Sequence, residues 1–250
     1  MKTRDKVLNI ALPLVTVAVI VLLWAAAAKA VDSEYILPTV GETITALFEL
    51  LKSAEFYRAF FGTLLRSLIA FAISFAAAFI VALAAYKSEK AKRLLSPLII
   101  ITRALPTIAV VLLLVVWTSS RVAPVIVTLL VVFPTLYNNL YAALCGIDKE
   151  LNEMCKVFGV KNSVRLKKVV FPQVAPEFIS ATGAGITLNL KLMVAAEVLS
   201  QTARSMGYLL NTSKVYFEIS AMLALVLVTV LTGLVIELAF SVLAKKAVKR

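Results

Sequence analysis

Apolar residues in this chain come in long runs, without the short periods of a half-buried strand or a surface helix. Val7–Ala28 and Ser67–Tyr86 carry no charge, Leu94–Ser120 carries only Arg103, and Val122–Ile147 carries none. Phe178–Gln201 contains Lys191 and Glu197, and Ile219–Ala244 contains only Glu237. Each run reaches the roughly 20 residues that a bilayer crossing needs. Only helices and closed barrels satisfy their backbone in lipid, and barrel strands alternate polar with apolar. The runs therefore predict about six transmembrane helices in an all-α, polytopic membrane fold.

Local signals shape these spans. Ser96 and Pro97 read as the cap and first turn of the third span, and Pro106 as a kink within it. Pro124 opens the fourth span and Pro134 interrupts it. The first run has a basic start (Lys2, Arg4, Lys6) and a small-residue end, as a signal peptide would. Its apolar stretch exceeds the usual signal core of about 7–15 residues, and five more spans follow, so it reads as a retained helix. After it, Thr39 and Glu42 form a capping-box pattern behind Pro38. Val40, Ile44, Leu47, Phe48 and Leu51 then share one helical face, which predicts a helix at the outer interface. Residues 1–62 thus hold the first span and this outer segment, residues 63–245 the core, and residues 246–250 a basic tail.

Composition agrees: 61% of residues are hydrophobic, 16% are charged, and the mean hydropathy is +0.95. Neither an ordinary soluble domain nor a disordered chain has this balance. The net charge of +12 needs placing. With the amino terminus inside, the inner segments hold 17 basic residues and the outer segments 6. The positive-inside rule then puts both termini in the cytoplasm. The excess charge is a topology signal, and no nucleic-acid partner is expected. The chain has no histidine and two cysteines, Cys145 and Cys155. A His-based general base, a Cys/His metal site and a disulfide framework are excluded, and both cysteines read as small buried thiols. No G-x-x-x-x-G-K-[ST] loop occurs, so the chain cannot hydrolyse ATP itself.

The inner segment 146–177 is too long for a tight connection. Asp148 can cap a helix that Gly159 ends. On that helix Leu151, Met154, Cys155 and Phe158 make one face, with Lys149, Asn152, Glu153 and Lys156 opposite. A second short helix starts near Asn162, presents Arg165, Lys167 and Lys168, and stops before Pro172. Helices this short need a surface to pack on, either the membrane or a partner protein.

Glu153, then Gly159 after five residues, then Val169-Val170-Phe171-Pro172 after nine more, resembles the cytoplasmic E-A-A-x3-G-x9-I-x-L-P signature of ABC importer permeases. Met154 and Cys155 replace its two alanines. Thr63-Leu64-Leu65-Arg66-Ser67-Leu68 resembles the start of the permease core, and Ser96-Pro97 through Arg103-Ala104-Leu105-Pro106 its next helix. Ile36-Leu37-Pro38-Thr39, Ala195-Ala196-Glu197-Val198 and Met206-Gly207-Tyr208-Leu209 resemble the nitrate/sulfonate/taurine-type branch. Trp117-Thr118-Ser119-Ser120 departs from that branch, which has a Trp-Phe-Gly turn there.

The resemblance implies a type I importer permease in a bacterial inner membrane. It implies two permease subunits, in this branch usually a homodimer, two ABC ATPase subunits beneath them and an extracytoplasmic substrate-binding protein outside. Leu151, Glu153, Met154, Cys155, Phe158, Gly159 and Pro172 would carry the ATPase coupling. No cofactor is expected on the chain itself, since the ATPase subunits would bind ATP and magnesium. Sulfonates, nitrate and thiamine-precursor pyrimidines are the solutes of that branch. The alternative is an ion-coupled secondary transporter or channel, for which inverted repeats and more intramembrane carboxylates are expected.

Arg66, Arg103, Lys191 and Glu197 are the translocation-path candidates, because charges inside a span face protein or water. Lys191 and Glu197 are six residues apart and point about 120° away from each other. Each is therefore expected to meet another helix or the cavity. Ala181, Gly183 and Gly185 predict a close helix contact.

Overall fold

The computed structural model describes residues 2–248, with side chains described at 11, 12 and 15–246. The elements are α1 (Lys2–Val31), α2 (Val40–Lys52), α3 (Ala54–Lys87), α4 (Glu89–Ala104), α5 (Thr107–Trp117) and α6 (Ala123–Cys145). They continue with α7 (Lys149–Val157), α8 (Asn162–Arg165), a π-helical turn (Leu166–Val170), α9 (Phe171–Ser200), α10 (Met206–Val215) and α11 (Ile219–Val248). No strand occurs among the described residues.

Four helical stretches are long and apolar enough to cross a membrane: Ala54–Lys87, Ala123–Cys145, Asn162–Ser200 and Ile219–Lys246. A fifth crossing arises if α4 and α5 count as one span bent by 92°. The expected first span, Val7–Ala28, falls within α1, where the side chains of residues 2–10, 13 and 14, Lys2, Arg4 and Lys6 among them, are not described, and Lys249 and Arg250 lie outside the described residues.

The third span differs most from its sequence reading. It is two helices, because Leu105 and Pro106 are extended (ψ 126° and 107°). Pro106 disfavours helical backbone at Leu105 and lacks the N–H to continue the ladder. Ser96 is not its cap. Ser88 is, accepting from the Ala91 N–H at 3.3 Å, so α4 starts two turns earlier and Pro97 lies within it. Pro134 likewise sits inside a helix that continues past it.

The second inner helix does not stop before Pro172. α8, the π-turn and α9 run on as one stretch. The wider π-turn ends immediately before α9, so Pro172 falls in a new first turn, where a missing N–H costs nothing.

The chain divides into two compact units. The first comprises Met1–Tyr57 and Leu209–Val228. There the Trp24 indole donates to the Pro38 carbonyl at 3.0 Å, tying α1 to the start of α2. The capping box forms as expected: Glu42 N–H donates to Thr39 Oγ1 at 3.2 Å, and Thr39 N–H donates to Glu42 Oε2 at 2.7 Å. Ile44, Phe48 and Leu51 leave the apolar face of α2 exposed, as an interfacial helix would.

The second unit comprises Arg58–Tyr208 and Thr229–Arg250. Its core lies between α3, α6 and α9, with Phe71, Val132, Leu136, Leu140 and Ile186 buried together. Small residues set the spacing. A Cβ on Gly185 would stand 2.6 Å from Leu136 Cδ2, so α6 and α9 approach closely only because it is absent.

Candidate functional site

Two features hold the candidate residues: the short helix α7, and a set of charges within the spans. In α7, Asp148 Oδ1 accepts the Leu151 N–H at 3.1 Å, and the Asp148 N–H donates to Gln173 Oε1 at 2.8 Å. The far end closes as a Schellman motif: Val160 N–H reaches the Cys155 carbonyl at 2.9 Å, and Gly159 N–H reaches that of Lys156 at 3.1 Å. Gly159 has φ +66°, in the left-handed region that favours glycine. Capped at both ends and joined to α9 through Gln173, α7 can transmit a push without unwinding.

The expected single face of α7 is divided. Cys155 is buried and Leu151 half-buried, but Met154 (50%) and Phe158 (76%) are exposed beside Val157 (83%). Residues 151 and 155 are one turn apart and point inward. Residues 154 and 158 are another such pair, rotated roughly 60° from the first. Sequence spacing grouped the two pairs, and packing separates them. Glu153 lies exposed next to the outward patch, and Pro172 is exposed at the start of α9. Cys145 is exposed, against the reading of both thiols as buried, because it falls at the outer side of the last turn of α6.

Within the spans, Glu197 has 0% of its side chain exposed and Arg66 20%. Arg66 Nη2 stands 2.7 Å and Nε 2.8 Å from Glu197 Oε1. Thr63 Oγ1 donates to Glu197 Oε2 at 2.7 Å, and the Gly207 N–H points at the same oxygen at 3.5 Å. Thr63 Oγ1 also accepts the Met206 N–H at 2.9 Å. Arg66 Nη2 reaches the Arg204 carbonyl at 3.4 Å. The carboxylate thus joins α3, the end of α9 and the first turn of α10. Gly207 makes this approach possible, since a Cβ there would lie 2.6 Å from the Glu197 carbonyl carbon. Beyond it Thr202 Oγ1 donates to the Ser120 carbonyl, and Ser205 Oγ donates to that of Thr202 at 2.6 Å.

Arg66 and Glu197 are therefore brought together, whereas Arg103 and Lys191 join neither. Both are exposed. Sequence reasoning missed Thr63 and Asn189. Asn189 is fully buried and donates to Ser67 O and Oγ at 2.6 Å each. The available signal was position: Thr63 stands one helical turn before Arg66, and Asn189 is an amide inside the apolar run of α9.

The model of the family described as binding-protein-dependent transport system inner membrane component matches residues 74–249. The chain belongs to that family. It is a permease subunit of an ABC importer and a multi-pass inner-membrane protein, and ATP hydrolysis lies on separate subunits. It works with an ATPase and a binding protein. This sets aside an ion-coupled carrier.

The permease is 23% identical over 93% of its length to a protein named as the aliphatic sulfonates transport permease SsuC of Bacillus subtilis, covering 84% of that relative. It is 24% identical over 71% of its length to the formylaminopyrimidine transport permease ThiX of Halalkalibacterium halodurans, covering 70% of it. Its fold matches a chain of the MetNI methionine ABC transporter in an inward-facing form. The TM-score is 0.65 at 16% identity, covering 77% of the permease and 96% of that chain.

Proposed function

We propose that the permease has six spans with both termini in the cytoplasm and pairs with a second copy of itself. In this reading it imports a small polar or anionic organic solute handed over by the binding protein. α7 is the coupling helix, lodging in a groove of the ATPase with Leu151 and Cys155 facing the permease and Met154, Val157 and Phe158 facing the partner. Glu153 flanks that contact, Asp148 and Gly159 close the helix at its two ends, and Pro172 stands at the start of α9, which α7 joins through Gln173.

The observation that carries the reading is the outward patch on α7. Three large apolar side chains on a nine-residue helix and its C-cap, exposed among basic residues, are an expensive surface for water and a good one for a protein groove. The 17-to-6 basic asymmetry of the segments supports the orientation. Relatives named for sulfonates and formylaminopyrimidine support a small polar or anionic solute.

The test is reconstitution of the permease with its ATPase and binding protein in proteoliposomes. Uptake is expected to require ATP and to vanish with an ATPase-dead partner. Undiminished uptake with the dead ATPase contradicts the reading.

A further inference from the structure

The exposed surface of the second unit is not uniform. α3 and α11 turn bulky aliphatic side chains outward, among them Leu65, Leu68, Ile73, Leu234, Val235 and Leu238. Such faces suit lipid. On α6, the exposed residues are Thr135, Asn139, Ala142 and Cys145. On α9, between Phe171 and Leu199, they are Pro172, Glu177, Ser180, Ala184, Lys191 and Ala195. No large apolar side chain is exposed on either stretch among the described residues.

The five α9 residues from Glu177 to Ala195 form one line. At 100° per residue they fall within about 60° of one another around the helix. At the Glu177 end the line borders an open cavity of about 650 Å³ whose walls include Asn139, Gln173, Glu177 and Ser180. A polar, small-residue track thus runs up α9 from this cavity past Lys191.

Lys191 sits deep along it. Thr202 bonds the Ser120 carbonyl, which places the end of α9 level with the exposed Trp117, a residue suited to the membrane–water boundary. Lys191 is 11 residues before Thr202, or about 16 Å along the helix. That is about half of a 30 Å hydrocarbon layer, too deep to reach the interface easily. The carboxylate nearest in sequence, Glu197, is taken by Arg66, and no described carboxylate is in salt-bridge range of Lys191. A mid-membrane ammonium faces protein or water, and the small and polar side chains along this track leave room for water beside Lys191.

We infer that Lys191 is the specificity-determining residue of the pathway, binding the anionic group of a small organic anion midway across the membrane. This rests on the importer reading above and names its solute class. The positive charge raises the local concentration of anions over cations in a narrow aqueous path. The small residues Ala184 and Ala195, about two turns before it and one turn after, leave room for the rest of the solute.

The test uses the full transporter, with Cys145→Ser and Cys155→Ser and a reporter thiol introduced by Ala195→Cys. Two methanethiosulfonate reagents serve as probes, one carrying a sulfonate and one a quaternary ammonium. Positions 191 and 195 lie on one face about 6 Å apart, so Lys191 acts on the reporter directly. Both reagents are expected to reach the reporter thiol. The sulfonate-to-ammonium rate ratio is expected to fall at least about tenfold with Lys191→Gln, and to be restored by Lys191→Arg. Added salt is expected to lower the ratio only when position 191 is cationic. A reporter that neither reagent reaches, or a ratio that Lys191→Gln leaves unchanged, overturns the assignment. The importer reading is judged separately, by ATP-dependent uptake in the unaltered complex.

Discussion

The guanidinium of Arg66 and the carboxylate of Glu197, 131 residues apart in sequence, meet at 2.7 Å. The acid is fully buried and the cation mostly so. Taking either charge away leaves the other in a low-dielectric setting without its partner. Arg66→Met is expected to destabilise the permease by about 3–5 kcal/mol, and Arg66→Met with Glu197→Met to recover most of that loss. Denaturant unfolding of the detergent-solubilised transporter measures both. Equal losses in the single and double variants would mean that the pair is not the source of stability.

Thr63 is the second support of that carboxylate. Its hydroxyl donates to Glu197 and accepts from the Met206 N–H, so Thr63→Val strips two buried groups of a partner at once. The expected cost is about 1–3 kcal/mol, read in the same unfolding measurement. Thr63→Ser keeps both bonds and is expected to stay near the parent.

Gly207 tests how tightly the first turn of α10 is held against the end of α9. A methyl there would stand 2.5 Å from the Val198 nitrogen, so Gly207→Ala must move backbone against backbone. A loss of about 1–3 kcal/mol and reduced uptake are expected, with ATPase binding retained because α7 is untouched. Co-purification and uptake together read this out. Full uptake in Gly207→Ala would mean that the start of α10 yields freely.

Gly159 isolates the rigidity of α7. Nothing lies within 4 Å of the Cβ that an alanine would add, so the cost of Gly159→Ala is conformational, about 1–2 kcal/mol from the left-handed backbone. Gly159→Asn is expected to cost less, since asparagine tolerates that region. The ratio of solute imported to ATP hydrolysed is expected to fall in the order glycine, asparagine, alanine.

The ends of α7 were legible because caps are local: Asp148 and Gly159 announce themselves within four residues of their partners. The same holds for Thr39 with Glu42 and for the break at Pro106. The Arg66–Glu197 pair was not legible as a pair. Each residue stood out as a charge inside a span, but nothing local links two helices so far apart in the chain. The division of the α7 face escaped for a related reason: Leu151 with Cys155 and Met154 with Phe158 have the same spacing, and only tertiary packing distinguishes them. The start of α4 was missed because Ser96-Pro97 mimics a helix start, whereas Ser88 lies in the charged stretch before the apolar run. The π-turn at Leu166–Val170 has no sequence signal beyond the proline that follows it.

The central claim is that ATP-driven movement enters the permease through the outward face of α7. The direct measurement is co-purification of the ATPase with the permease carrying Met154→Asp and Phe158→Asp, alongside ATP-dependent uptake. Both positions are exposed in the permease, so its own stability is expected to hold. The account predicts loss of the bound ATPase and at least about a tenfold fall in uptake, since two buried hot-spot contacts of about 2 kcal/mol each would go. Retention of both the ATPase and normal uptake would contradict it.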